Sequence, residues 1–348
     1  VNFKTYWMVH SNLGIAPDRH RTVSKNRATS PPIRAQSHAL RPPVDRTGGD
    51  CLEQSFGYAL TQAINGKMPE ATRQPRKPMS SGPASIVVLD SITHLKSEHA
   101  GQVVVAGSHG GAYAAYLAAA GHVAAIVLND AGVGKDKAGI AVLAYFDAID
   151  GAACTIGHMS ARIGEGQDMI DNGVITGINK AAAALGCKVG ERCAAAAGKL
   201  LAARPSTKPY EKHEEARFLL QDGKVKVWGI DSVSLVRPED KGCIVIAGSH
   251  GAILGGKPET ALKYPALAAV FHDAGIGKDR NGVTRLPALD PRGIAAAVVA
   301  ADSARIGDAR SMWDSGRLSV VNETAKSWGL KVGMSVPEFC EIAMKHGK

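Results

Sequence analysis

Aromatic side chains are scarce in this chain, 5% of 348 residues, which suits close helix–sheet packing better than an aromatic-rich binding surface. Long apolar runs are missing as well. None approaches the ~18 residues of a membrane span, and the most apolar stretches are broken by His122, Asp147 and Asp150. No charged-then-apolar segment resembling a secretion signal is present at the start. The six cysteines (Cys51, Cys154, Cys187, Cys193, Cys243, Cys340) lack metal-ligand spacing such as C-x2-C. Buried, reduced thiols in a cytoplasmic protein are therefore expected, with no metal and no cofactor. No G-x-G-x-x-G run follows an apolar stretch, which counts against a standard dinucleotide site.

What is present is unevenly distributed. The chain carries a net charge of +9, yet residues 1–78 alone hold 12 Lys+Arg against 5 Asp+Glu, together with 8 of the 17 prolines. Such a segment cannot bury enough apolar surface to offset its ordering entropy. A disordered basic Pro/Arg-rich extension is expected over 1–78, with Met79 as a candidate working start. A basic arm of this kind could also bind nucleic acid, and an acid-poor start is also a feature of transit peptides. No aromatic-basic interleaving accompanies the charge, so no specific nucleic-acid or membrane partner is expected.

From residue 79 onward the chain repeats itself. Ala106-Gly-Ser-His-Gly110 returns as Ala247-Gly-Ser-His-Gly251, at an offset of 141 residues. Asp130-Ala-Gly-Val-Gly-Lys-Asp136 returns as Asp273-Ala-Gly-Ile-Gly-Lys-Asp279, and Ser160-Ala-Arg-Ile-Gly164 as Ser303-Ala-Arg-Ile-Gly307, both at 143. Three blocks in one order imply an internal duplication, with units over 79–203 and 226–348 and a linker over 204–225. Part of that linker, 211–220, is compatible with a helix. Short apolar runs at 85–89, 103–106, 124–128 and 152–156, and again at 227–230, 243–247, 267–271 and 295–299, read as strands. Between them 111–120, 140–149, 167–185 and 309–328 read as helices. Apolar strands alternating with helices predict an α/β fold: two doubly wound parallel-sheet (βαβαβα) units in a pseudo-twofold relation.

In such sheets ligands bind at the carboxyl ends of the strands, and the repeated polar residues fall there. One copy offers Asp90, Ser108, His109, Asp130, Lys135, Asp136, Ser160 and Arg162. The other offers Ser249, His250, His272, Asp273, Lys278, Asp279, Ser303 and Arg305. The glycine-bearing Lys loop invites a phosphate-loop reading but fails it. Asn129 and His272 stand where G-x-x-x-x-G-K-[ST] needs its first Gly, and Asp136 and Asp279 stand at its closing Ser/Thr.

Ala106-Gly-Ser-His-Gly110 resembles the nucleophile elbow of α/β-hydrolases, G-x-S-x-G, with Ala at the first Gly. The resemblance implies a serine nucleophile with a backbone oxyanion donor beside it. That family has one elbow on one sheet; this chain has two, in separate units. The alternative is an anion turn, in which Gly107 and Gly110 make the bend and Ser108 caps the helix or binds an anion at its N-terminus.

These residues lead to an expected small-molecule enzyme acting between the two units. Its reaction would be hydrolysis of an amide, imide or lactone bond in a small anionic substrate. Ser108 or Ser249 would be the nucleophile, Lys135 or Lys278 the base, and Arg162 and Arg305 carboxylate clamps. The arrangement is similar in concept to cyclic amide hydrolases built from tandem repeats, whose motifs are not found here. His109, His250, His272 and Asp273 are further candidate catalytic residues. Asp90, Gly110, Asp130, Asp136, Ser160, Gly251, Asp279 and Ser303 are candidate binding residues. The arginines have an equally simple alternative, ion pairs with Glu165, Asp308 or an Asp of the neighbouring loop. A non-catalytic two-lobed anion binder and a metal-assisted lyase or isomerase remain as alternatives, and a homo-oligomer is compatible with all three. The two copies differ at Asn129 against His272, His158 against Ala301, and Met159 against Asp302.

Overall fold

A computed structural model describes residues 84–347, which lie within one compact unit. The extension expected over 1–78 lies outside the described residues. The first half runs β1 (Ile86–Leu89), β2 (Val103–His109), α1 (Ala112–Ala120), β3 (Ala125–Asn129), α2 (Ala141–Ala148), β4 (Ala152–Ile156), α3 (Gly166–Asn172), β5 (Ile175–Ile178), α4 (Lys180–Ala184) and α5 (Cys193–Leu200). The second half runs β6 (Arg217–Gln221), β7 (Val227–Ile230), β8 (Ile244–His250), β9 (Ala268–His272), α6 (Arg285–Leu289), β10 (Ala295–Val299), α7 (Ala309–Ser315), β11 (Leu318–Val321), α8 (Glu323–Ser327) and α9 (Val336–Met344).

The protein is α/β, with two parallel-dominated sheets of five and six strands. Their orders are β1-β2-β3-β4-β5 and β11-β10-β9-β8-β7-β6. The core strands are apolar along their length and buried on both faces, as parallel strands between helix layers must be. In the first sheet Val104, Ile126 and Ala153 face α1 and α2, while Val103, Val127 and Cys154 face α3, α4 and α5. The strand order rises without reversal in each sheet. Neither sheet therefore has the switch point that defines a doubly wound topology, and that expectation is corrected.

Three strands escaped the apolar pattern. The span 167–185 breaks into α3, β5 and α4, because the Gly173 amide closes α3 on the Met169 carbonyl and the chain then returns antiparallel along β4. The span 309–328 breaks the same way, at Gly316 on Met312, to give β11 beside β10. The charged linker is not helical near its end: Arg217–Gln221 pairs antiparallel with β7. There Arg217 meets the buried Asp240 carboxylate and lies over the Trp228 ring.

The halves differ most where α1 stands. In that place the second half has a short 3-10 turn, Pro258–Ala261, and the fully buried Arg285 of α6 holds it through the Thr260 and Ala261 carbonyls. The described cysteines are unbridged, and all but Cys243 are buried. Among the described residues no helix is long and apolar enough to cross a membrane.

Candidate functional site at the loop junction

β3 and β9 end at Asn129 and His272, and the two Asp-Ala-Gly-Val/Ile-Gly-Lys-Asp runs follow. Each run bends through left-handed backbone: Ala131, Gly132, Val133 and Gly134 have φ of 48°, 75°, 63° and 65°, and Ala274, Gly275, Ile276 and Gly277 have 50°, 73°, 63° and 69°. β-branched Val133 and Ile276 are costly there, and strain of this kind persists only where its surroundings hold it. The holding group is the leading Asp. Asp130 Oδ1 accepts from the Gly132 amide at 3.0 Å and Asp273 Oδ1 from Gly275 at 2.9 Å, while their carbonyls accept from Val133 and Ile276. These amides turn inward onto the loop itself, the opposite of a phosphate cradle.

The two loops touch. A Cβ on Gly132 would lie 3.0 Å from Gly275 Cα, and one on Gly275 equally close to Gly132 Cα. Each loop then crosses to the other half, where the Lys135 amide donates to the Ala301 carbonyl and the Lys278 amide to that of His158, both at 2.8 Å.

Most of the repeated charged residues join the halves. Arg162 binds Glu165 and, across the junction, Asp279; Arg305 binds Asp308 and, across the junction, Asp136. The ion-pair alternative for the arginines is the one observed. These pairs are substantially exposed and each stabilises weakly. Lys278 donates to both oxygens of the buried Asp168, whereas Lys135 meets Ser315 Oγ at 2.8 Å and the Ser303 carbonyl. Ser160 and Ser303 brace the turns after β4 and β10, donating to the Gly157 and Ala300 carbonyls.

The serine turns are closed units. Ser108 Oγ accepts from the Ile92 amide at 2.9 Å, and Ser249 Oγ from the Val233 amide at 2.8 Å. Among the described residues no basic side chain bonds either hydroxyl. Gly110 and Gly251 donate to the Asn129 and His272 carbonyls, fixing the turns against β3 and β9. His109 and His250 fold back so that Nδ1 accepts from the amides of Gly111 and Ala252. Burial pushes His109 down to about 4, aided by His272. It pushes His250 well below its ordinary value, with Arg285 acting the same way. Asp90 accepts from the Gly166 amide at the start of α3.

One imidazole differs from these. His158 Nδ1 lies 2.9 Å from Asp130 Oδ1, and Asp130 Oδ2 accepts from Thr176 Oγ1 at 3.0 Å. Burial raises the Asp130 carboxyl, but hydrogen bonds from the His158 ring and from the His158 and Gly132 amides outweigh it and hold the group below its usual range. A carboxylate beside Nδ1 favours the tautomer with its proton there, which makes Nε2 the ring's acceptor position. No described side chain bonds Nε2, and the His158 side chain is 27% exposed. The ring lies against Gly275, with Nε2 3.1 Å from the point a Cβ would occupy. The sequence offered His158 as a histidine of the first half, opposite Ala301, but not its pairing with Asp130, which follows the end of another strand.

Gly275 also lines an open pocket of about 470 Å³, with Gly132, Val133, Lys135, Asp273 and Ala301 among its walls. The pocket thus gathers Lys135 and Asp273 from the expected set, whereas Ser108, Ser249, His109 and His250 do not line it. Among the described residues no group of three or more His, Cys, Asp or Glu is placed to hold a metal ion. No protein-family model, curated protein or solved structure matches the chain.

Proposed function

We propose that the chain is a duplicated α/β enzyme that works by acid–base catalysis at the loop junction, with His158 as the proton carrier. Hydrolysis of an amide, imide or lactone bond in a small polar substrate is the reaction class. The observation that carries this reading is the oriented pair: a partly exposed imidazole, its Nδ1–H directed to buried Asp130 and its Nε2 unbonded. The duplication is supported by the recurrence of the same loop dihedrals and the same crossing backbone bonds in both halves.

In the proposed step, His158 Nε2 takes a proton from water as the water oxygen forms its bond to the substrate carbonyl carbon. The carbonyl oxygen takes up the negative charge. Its collapse breaks the C–N or C–O bond, and the imidazolium returns the proton to the leaving atom. Asp130 holds the tautomer and stabilises the imidazolium. Ser108 and Ser249 are turn caps in this scheme. The arginines each already hold two carboxylates, so an anionic group on the substrate is no longer required.

The test is hydrolysis of a panel of small lactams, imides and lactones by the full chain, His158→Ala and Asp130→Asn. Turnover that falls about a hundredfold or more in His158→Ala, with unchanged circular dichroism, supports the reading. Turnover that survives His158→Ala but is lost in Ser108→Ala or Ser249→Ala returns the nucleophile to the elbow.

A further inference from the structure

We propose that the pocket over Asp273 is a binding site for a planar nitrogen ligand, an imidazole, amidine or guanidine, which donates N–H to the Asp273 carboxylate as the His158 ring donates to Asp130. This does not rest on the acid–base reading, since it requires only Asp273 and Ala301.

Ala301 and His158 hold corresponding backbone positions. Their carbonyls receive the Lys135 and Lys278 amides at the same 2.8 Å. Gly157 and Ala300, the residues before them, donate to Val174 and Arg317. On one side the imidazole covers the loop: a Cβ on Gly275 would meet His158 Cδ2 at 2.9 Å. On the other side the three atoms nearest a Cβ on Gly132 are all backbone of the opposite loop, and Ala301 carries no ring to cover it. The space that the His158 ring fills in the first half is the pocket of the second.

The carboxylates show the same difference. Asp130 accepts from Gly132 and His158 amides, His158 Nδ1 and Thr176 Oγ1. For Asp273 the bonds are from the Gly275 amide, at 2.9 Å to Oδ1, and Ser319 Oγ, at 2.8 Å to Oδ2. Asp273 is 4% exposed and lines the pocket. A carboxylate has about four acceptor positions, and one so enclosed favours a further donor strongly.

The walls set the class of ligand. Val133, Ile276, Ala300 and Ala301 give apolar sides suited to a flat ring, and exposed Asp302 adds a second negative charge. Lys135, the nearby cation, is turned to Ser315 and the Ser303 carbonyl. Asp273 and Asp302 outweigh the one lysine on the walls, which keeps its charge while bonded to Ser315 and the Ser303 carbonyl, so the lining favours a cationic or N–H-donating ligand over an anionic one. The volume admits a ring with a substituent.

The test is calorimetric and NMR titration of the full chain with imidazole, acetamidine and guanidinium as probes. The wild-type chain is expected to bind at least one of them at a single site. Ala301→His supplies the ring from the protein, and Asp273→Asn removes the charge. Each should weaken binding about tenfold to a hundredfold, the effect of losing a hydrogen bond to a charged group. His158→Ala should gain a second site over Asp130, which keeps the test decisive even if one of the other variants fails to fold. Equal affinity in wild type and Ala301→His, or no saturable binding of any probe by the wild type, would overturn the proposal.

Discussion

Asn129 and His272, at the ends of β3 and β9, make the same two backbone hydrogen bonds. Asn129 donates to the Ala161 carbonyl and accepts from the Ala131 amide; His272 donates from Nε2 to the Ala304 carbonyl and accepts at Nδ1 from the Ala274 amide. The imidazole at this position acts as an amide would, in its neutral form, and burial lowers its pKa. His272→Asn should therefore fold, at a cost of about 1 kcal/mol for the lost ring volume.

The same substitution should reduce sensitivity to acid. His109, His250 and His272 all hold their protons less tightly when folded than the ordinary value near 6.5. The unfolded chain then binds more protons below that value. Stability is complete above it and declines as pH falls from about 6.5 toward the folded value, about 4 for His109. Urea midpoints at pH 7.5 and pH 5 should converge in His272→Asn relative to wild type. An unchanged gap between the two pH values would show that His272 contributes nothing to it.

The glycines of the junction should be intolerant for reasons of contact as well as conformation. Gly275 has φ of 73°, and an added Cβ would come within 3.0 Å of both the His158 ring and Gly132 Cα. Gly186 has φ of 85° with nothing within 4 Å of the same point. Gly186→Ala should cost about 1 kcal/mol of left-handed strain. Gly275→Ala should cost about 2–4 kcal/mol, because two backbones must separate. Equal losses in thermal melts would mean that the loops are not held against one another.

How far the sequence could be read follows from the range of each interaction. β2, β3, β4 and their counterparts were legible because a buried parallel strand is apolar on both faces, so its composition alone identifies it. β5 and β11 were not, since an edge strand such as Ile175-Thr-Gly-Ile178 sits inside an Ala-rich context that reads as helix. The repeated loops were visible, but the use of their charges was not. Lys278 finds Asp168 110 residues away, and Arg305 finds Asp136 169 residues away. Pairings of that length depend on how the halves face each other, which local pattern does not encode. The contrast of His158 with Ala301 was readable; that it opens a pocket over one of two matching carboxylates required the fold.

Val133 offers a separate test of the strained loops. It is β-branched, has φ of 63° and is 36% exposed, so its burial only partly offsets its conformation. Val133→Gly relieves about 1–2 kcal/mol of left-handed strain and gives back about 1 kcal/mol through the freer unfolded chain. The expected result is a melting temperature unchanged or slightly raised. A clear loss of stability would show instead that the side chain packs against something the loop needs.

Glu215, just before β6, gives an opposite pH signature. Burial pushes its carboxyl up to about 7; Asp231 adds to the rise, while the Ser232 and Ser234 hydroxyls oppose it. Between the ordinary carboxyl value near 4.3 and about 7 the folded chain holds a proton that the unfolded chain has released. This group's contribution is therefore complete at low pH and is lost as pH rises through the folded value. Glu215→Gln, which keeps the shape and cannot ionise, should match the wild type in thermal melts at pH 4.5 and exceed it at pH 8. If the difference between the two proteins is the same at both pH values, the carboxyl is ionised throughout and its enclosure has no energetic consequence.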